Sequence, residues 1–185
     1  TPQHLSLSSP VCYDELTNLA QMNPPIREKF HQDSLWDGIQ DGVVDFIASD
    51  HAPHAMSEKL KKYPLSPSGI PGVQTTLSIM LDHVAKERLS LPHLTTLLSF
   101  NPARIYQLKN KGILKTGFDA DIVIVDTKKK HIINNEQIKS KCGYTPFNGK
   151  ELIGKPEFTI IAGNIIVKND QLINNVLGTT LEMDR

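Results

Sequence analysis

The chain has 185 residues, and 20 basic side chains balance 20 acidic ones, so its formal net charge is zero. With no charge run longer than residues 128–130, the sequence excludes the basic surface typical of nucleic-acid-binding and polybasic membrane-binding proteins. Cys12 and Cys142 lack Cys-x-x-Cys spacing, which indicates neither a disulfide framework nor a zinc ribbon and favours a reducing, cytoplasmic setting. Because no apolar run reaches about eighteen residues, we expect a soluble protein without a membrane span.

The first half of the chain combines helical patterns with one apolar strand pattern. Residues 28–40, "EKFHQDSLWDGIQ", have helical spacing, with Gly42 as a stop. The next stretch, "VVDFIASD" at 43–50, is β-branched and mostly apolar, which predicts a strand buried in a parallel sheet. The prolines within 56–71 predict an irregular loop. Further helices are expected at 73–86, at 90–98 with Ser90 as the N-cap, and after Asn101-Pro102.

The character of the chain changes after Lys109. "GILKTGFDADIVIVDT" and "EFTIIAGNIIVKNDQLI" are rich in strand-forming residues and punctuated by glycine, with a tight turn predicted at residues 162–164. The segment between them, at 139–152, reads as an irregular connection. We therefore expect one domain at 1–109 and a small β-module at 110–185.

Asp50 is the first candidate for chemistry, since it ends the predicted strand and is followed by His51 and His54. A carboxylate at the mouth of a buried parallel strand lies where α/β barrels assemble active sites. It could bind zinc or accept a proton from an activated water. It could equally be the N-cap of the following turn, and spacing alone leaves both interpretations open.

Two proline- and glycine-rich loops hold further candidates. In "NPPIR", Asn23 could present its amide rigidly to a ligand, but the pattern alone favours a plain helix start. In "SPSGIPG", Ser68 and Gly69 could bring backbone groups close to a ligand, although loops of this composition are common. His4 fits a hydrogen-bonded or solvent-facing loop residue better than a metal ligand.

Seven motifs in this order resemble the C-terminal part of the bacterial-type dihydroorotases, within the cyclic amidohydrolases: "TPQHL", "NPPIR", "ASDHAPH", "SPSGIPG", "NPARIY", "GFDADIVIVD" and "TPFNG". The ordered set is specific and extends to about Ile173. The resemblance implies an α/β fold: the C-terminal part of a metal-dependent (β/α)8 TIM-like barrel at 1–109, and a small β-sandwich segment with its tail at 110–185. It also implies reversible hydrolysis of L-dihydroorotate to N-carbamoyl-L-aspartate in pyrimidine biosynthesis.

The resemblance assigns roles to individual residues. Asp50 resembles the zinc-binding aspartate that also acts as the general base. Asn23, His54, Ser68 and Gly69 resemble the substrate-binding residues, and His54 discriminates against hydantoinases and allantoinases, which usually lack it. The implied cofactor is Zn²⁺, two ions per full-length subunit, of whose ligands this chain would hold one.

Some features depart from the family pattern. Gln3 stands where a histidine is common, and is similar to the hydantoinase side of the superfamily; Met22 replaces a basic residue. The other metal ligands are absent, so we expect a fragment that is inactive and poorly folded by itself. A homodimer is the expected assembly. The alternatives are a dihydropyrimidinase, hydantoinase or allantoinase, and a non-catalytic scaffold for aspartate transcarbamoylase.

Overall fold

The computed structural model describes residues 1–176 and 178–183 and shows an α/β chain. Contacts divide it into two compact units, residues 1–79 with 131–152, and residues 80–130 with 153–185. The predicted division at 109/110 stays a prediction. The helices are α1 (Pro2–Ser6), α2 (Val11–Leu16), α3 (Lys29–Gln40), α4 (Met56–Lys59), α5 (Thr76–Ala85), α6 (Leu91–Thr95) and α7 (Asn101–Ile105). Short 3₁₀ turns lie at Thr17–Ala20 and Asn135–Gln137, and a π-helical turn at Thr96–Phe100.

The predicted helices at 28–40 and 90–98 are confirmed. Helix α3 buries Trp36, whose indole N–H donates a hydrogen bond to the Leu5 carbonyl at 3.1 Å. Ser90 caps α6, because its hydroxyl accepts the backbone N–H of His93 at 3.2 Å. In the described part of the chain, no helix is long and apolar enough to cross a bilayer.

Two local predictions are wrong, and one helix begins earlier than expected. Residues 43–50 form no strand, because a parallel strand needs a hydrogen-bonded neighbour and the described residues place none beside it. The segment 56–71 is not wholly irregular, since it begins with the one-turn helix α4. The helix expected after Asn101-Pro102 begins at Asn101 itself, because the π-helical turn before it runs straight into α7.

The β-rich half forms one four-stranded sheet in the described residues, in the order β1 (Ile122–Ile132), β2 (Glu151–Ile161), β3 (Asn164–Lys168) and β4 (Gln171–Leu172). Strands β2 and β3 are antiparallel. The predicted turn between them is confirmed: Ala162 and Gly163 have φ values of 47° and 79°, the pair of positive angles that a type I′ hairpin turn requires. This single sheet does not by itself show the expected β-sandwich.

Asp121 fastens that turn within its own unit. Its carboxylate accepts a hydrogen bond from Lys111 and another from the backbone N–H of Ala162 at 2.8 Å. These bonds favour the ionised carboxylate, so the pKa of Asp121 lies below its ordinary value, with the lysine as the larger cause. The "GFDAD" motif therefore leads into β1 and, through Asp121, holds the turn between β2 and β3.

Two apolar clusters form the core of the first unit. One combines Ile79 with three buried residues of the 131–152 segment: Ile133, Phe147 and Leu152. The other contains Met22 and Ile70, with Cys12, Ala20 and Ile26 around them. Because Met22 and Ile70 are direct chain neighbours of Asn23 and Gly69, this second cluster anchors the backbone that presents both predicted binding segments.

Tyr144 provides a test of the packing in this unit. Its side chain is fully buried, and its hydroxyl has no hydrogen-bond partner among the described residues. Burial also raises the pKa of the phenol. Since a buried hydroxyl without a partner costs free energy, Tyr144→Phe should leave the free energy of unfolding unchanged or raise it by about 1 kcal/mol, measured by urea denaturation of the full-length protein.

Tyr13 supplies the matched control. Its hydroxyl donates to the Ile26 carbonyl at 3.2 Å and accepts the Ile26 N–H at 3.0 Å. Tyr13→Phe should therefore lower the free energy of unfolding by about 1–2 kcal/mol. A comparable loss in Tyr144→Phe would show that the Tyr144 hydroxyl does have a partner in the folded protein.

Candidate active site

Asn23 and Ser68, two of the predicted substrate-binding residues, line one cleft. The cleft has a volume of about 620 Å³ and is lined also by Tyr13, Gln21 and Tyr63, with Thr17, Asn18, Met22 and Pro25. Asn23 itself is exposed, while the preceding Met22 is buried in the core. The amide is thus held at the surface of the cleft by an anchored backbone, which suits a ligand-contacting residue.

Gly69 lies against the segment that carries the histidines. Its N–H donates to the Gln21 carbonyl at 2.9 Å, and its φ is 143°, where side chains are rarely tolerated. A Cβ at this position would lie 2.4 Å from the carbonyl oxygen of Ala52. Glycine is therefore required for the close approach of two backbones, which is the local reason for the "SGIPG" sequence.

His54 is bonded directly to the Ser68 segment. Its Nε2–H donates to the Ser68 carbonyl at 3.1 Å, because a carbonyl can only accept. Its Nδ1 lies 4.0 Å from the Glu58 carboxylate, and a third of the side chain is exposed. The ring is therefore fixed on one side and reachable on the other, and it lies beside Ser68 as a binding cluster requires.

Asp50 lies on an exposed, left-handed stretch of backbone, with φ at 45°. The structure records no hydrogen bond to its carboxylate from the described residues. Its charge acts on His4, whose ring nitrogens contact the Pro24 carbonyl at 2.9 Å and the Thr1 hydroxyl at 2.8 Å. Burial lowers the pKa of His4, and the Pro24 carbonyl and Asp50 oppose that shift. The charge of Asp50 therefore acts on a histidine that is bonded to the residue after Asn23.

His51 and Gln3 have structural contacts around this site. The His51 Nδ1 accepts the N–H of Gly72 at 3.1 Å, and its backbone pairs with Ile70 in an isolated parallel bridge. Gln3 is buried, and its Nε2 donates to the Ser49 carbonyl at 3.1 Å. Gln3 thus supports the backbone immediately before Asp50. His51 is not among the residues that line the cleft of Asn23 and Ser68.

The described residues contain no complete metal site. They contain no group of three or more histidine, cysteine, aspartate or glutamate side chains placed to hold an ion. Asp50 offers a free carboxylate, an oxygen donor that zinc accepts. A closed metal site would need donors beyond these residues.

The amidohydrolase family model matches residues 9–166, which include Asp50, Asn23, His54 and Ser68 with Gly69. The chain belongs to the amidohydrolase family. Among curated proteins, it is 40% identical to a dihydroorotase of Methanosarcina acetivorans over 174 residues, 93% of this chain and 37% of that protein. It is 39% identical to a dihydroorotase of Clostridioides difficile over 167 residues, 90% of this chain and 39% of that protein.

Solved hydantoinase and dihydropyrimidinase structures resemble nearly the whole chain. The L-hydantoinase (dihydropyrimidinase) of Arthrobacter aurescens matches with a TM-score of 0.86 and 28% identity, covering 94% of this chain and 39% of that one. The dihydropyrimidinase of Brevibacillus agri matches with a TM-score of 0.85 and 28% identity. This match covers 93% of this chain and 39% of that one. The chain therefore spans about two fifths of the relatives that it matches. The resemblance to dihydroorotases drawn from the seven motifs is confirmed.

Proposed function

We propose that this amidohydrolase chain is part of a dihydroorotase, which interconverts L-dihydroorotate and N-carbamoyl-L-aspartate in pyrimidine biosynthesis. The observation that carries the proposal is the contact between His54 and Ser68 beside the cleft lined by Asn23. It brings together residues that the dihydroorotase resemblance assigns to one substrate. The similarity to curated dihydroorotases supports the same assignment.

The proposed roles follow from the chemistry of the side chains. Asn23 offers both an amide donor and an acceptor to the ring of a cyclic amide. The backbone of Ser68 and Gly69 offers N–H and C=O groups at close range, because Gly69 has no side chain in the way. His54 Nδ1, which lies 4.0 Å from the Glu58 carboxylate, donates to the substrate carboxylate when the ring is protonated. The Asp50 carboxylate is the proton acceptor.

A zinc ion, where bound, would polarise water and the scissile carbonyl. We propose that Asp50 is one of its ligands and that the remaining donors of a two-zinc centre lie outside the described residues. The finer fold proposal is the C-terminal part of a (β/α)8 barrel at 1–109 with a small β-sandwich segment at 110–185. A homodimer is proposed for the assembled enzyme.

A panel of cyclic amides tests the proposed reaction. The full-length protein should hydrolyse dihydroorotate with a kcat/KM at least about a hundredfold above that for hydantoin, dihydrouracil or allantoin, since only dihydroorotate has the carboxylate that His54 would bind. Cleavage of hydantoins without dihydroorotate turnover would replace the proposal with the hydantoinase alternative. Gln3 and the hydantoinase-like structures are the observations that favour that alternative.

The non-catalytic alternative is a scaffold for aspartate transcarbamoylase. Such a subunit would have no need to retain a metal-binding carboxylate, whereas Asp50 is present and unengaged by hydrogen bonds of the described residues. The remaining sequence of the protein is decisive. A His-x-His after a first strand and two later histidines would support catalysis, while their loss would favour the scaffold.

The 185 residues alone should not hydrolyse dihydroorotate, even with added zinc. One carboxylate cannot complete a catalytic metal site, which ordinarily has three protein ligands. The measurement is dihydroorotate turnover by the isolated chain across a zinc titration, with the full-length protein as the positive control. Significant zinc-dependent turnover by the isolated chain would contradict the idea that donors outside it are required.

His54→Ala in the full-length enzyme should raise KM for dihydroorotate by about tenfold to a hundredfold, with a smaller effect on kcat. The variant loses a donor to a charged group, a contact of about 1.5–3 kcal/mol. Steady-state kinetics measures the split between KM and kcat. His31→Ala, which changes an exposed histidine on α3, is the control and should leave both unchanged. An unchanged KM in His54→Ala would exclude the carboxylate-binding role.

A further inference from the structure

Lys59 is a lysine with an unusual environment. It ends the short helix α4 and is fully buried, although lysine is almost never buried without a partner. Its neighbours Lys61 and Lys62 are exposed. Burial of the whole side chain therefore needs an explanation in its contacts.

The ammonium group of Lys59 joins two loops. Its Nζ donates to the carbonyl of Gln21 at 3.0 Å and to the carbonyl of Pro67 at 2.9 Å. Gln21 precedes Met22 and Asn23, and Pro67 directly precedes Ser68 and Gly69. One cation thus bonds to the backbone of both segments that hold the proposed substrate-binding residues.

Neutral hydrogen bonds surround this connection. The Gln21 carbonyl also accepts the N–H of Gly69 at 2.9 Å, and the Gln21 side chain donates to the Ser66 carbonyl at 3.0 Å. The Ser66 hydroxyl donates to the carbonyl of Lys59 itself at 3.1 Å. The charged group is therefore the centre of a network that links Gln21 to residues 66–69.

The ammonium group is stabilised by backbone carbonyl dipoles rather than by an opposite charge. Within the described residues, no carboxylate forms an ion pair with Lys59. Burial lowers the pKa of its ammonium, because removing a charge from water is unfavourable. An apolar residue would fill the same space without that cost, so packing alone does not account for a lysine here. What the lysine adds is an ammonium group that donates to two carbonyls at once.

We propose that Lys59 is a positioning residue that holds the Asn23 segment and the Ser68–Gly69 segment at the separation that substrate binding requires. The inference rests on the proposed function, since it takes these segments as the substrate-binding ones. Lys59 itself contacts neither substrate nor metal in this assignment. It acts through the carbonyls of Gln21 and Pro67, and so affects binding more than the chemical step.

The test is Lys59→Met in the full-length protein, because methionine keeps an apolar stem and removes all three donors. For dihydroorotate, KM should rise about tenfold or more while kcat stays within about threefold of the wild type. Lys62→Met, which changes an exposed lysine just after α4, is the matched control and should leave both constants unchanged. A fall in kcat or in melting temperature with an unchanged KM would overturn the proposal.

Amide hydrogen–deuterium exchange gives a readout that does not depend on catalysis. In Lys59→Met, peptides covering residues 21–23 and 66–70 should exchange at least about fivefold faster, while α3 keeps its wild-type rate. If both peptides exchanged at the wild-type rate in Lys59→Met, the positioning role would be overturned. Wild-type turnover of dihydroorotate is measured first and tests the proposed function separately, since the exchange result stands whichever cyclic amide is hydrolysed.

If Lys59→Met does not fold, Ser66→Ala tests the positioning role of Lys59 instead. It removes only the hydroxyl bond to the Lys59 carbonyl and leaves the ammonium in place. The same two peptides should exchange about twofold to fivefold faster in this variant, with a parallel rise in KM. Wild-type exchange and KM in Ser66→Ala, combined with an unfolded Lys59→Met, would make Lys59 a stability residue and overturn the proposal.

Discussion

Asp50→Asn in the full-length protein should lower kcat for dihydroorotate by about a hundredfold to ten-thousandfold. Asparagine has nearly the same shape as aspartate, but it cannot accept the proton that a general base takes. It is also a weaker donor to a cation, so metal content should fall below that of the wild type. Because the Asp50 carboxylate accepts no hydrogen bond from the described residues, its replacement should not disturb their packing.

Two measurements separate these effects. Steady-state kinetics gives kcat, and elemental analysis of the purified protein gives zinc per subunit. Asp37→Asn, which changes an exposed acid on α3, is the control and should alter neither. A near-normal kcat with full zinc occupancy in Asp50→Asn would show that another group is the base.

The sequence predicts which loops lie together better than it predicts a strand at 43–50. The family resemblance predicts Asn23, His54, Ser68 and Gly69 as binding residues, and the structure brings Ser68 beside both His54 and the cleft of Asn23. The apolar pattern at 43–50 predicted a strand, yet no strand forms there. Periodicity reports which residues can be buried in a sheet, whereas a strand also requires a partner at its edge.

The burial of Lys59 is not predictable from the local sequence. A lysine in a proline-rich segment beside Lys61 and Lys62 reads as one more exposed cation. Its burial depends on carbonyls of Gln21 and Pro67. The contact with Gln21 is distant along the chain, and no local pattern encodes it. The motifs of Asp50 and Ser68 could be recognised from the sequence because they lie within one continuous segment.

Gly69→Ala should weaken substrate binding by displacing the backbone of the Ser68–Gly69 segment. The new Cβ would lie 2.4 Å from the Ala52 carbonyl oxygen and 3.0 Å from His54 Cδ2, so the backbone must move away from the histidine segment. The φ of 143° adds strain of about 1–3 kcal/mol for a residue with a side chain. We expect KM for dihydroorotate to rise at least about tenfold and the free energy of unfolding to fall by about 2–4 kcal/mol.

Gly42→Ala isolates the contribution of the clash. Gly42 also has a positive φ, 72°, but no heavy atom lies within 4 Å of the position that an alanine Cβ would take there. Its alanine variant should lose only about 1–2 kcal/mol of stability, the ordinary cost of left-handed backbone, and keep the wild-type KM. Urea denaturation and steady-state kinetics on both variants make the comparison. If Gly69→Ala behaved like Gly42→Ala in KM, the backbone of Ser68 and Gly69 would not form part of the substrate site, because a forced displacement there would have left binding intact.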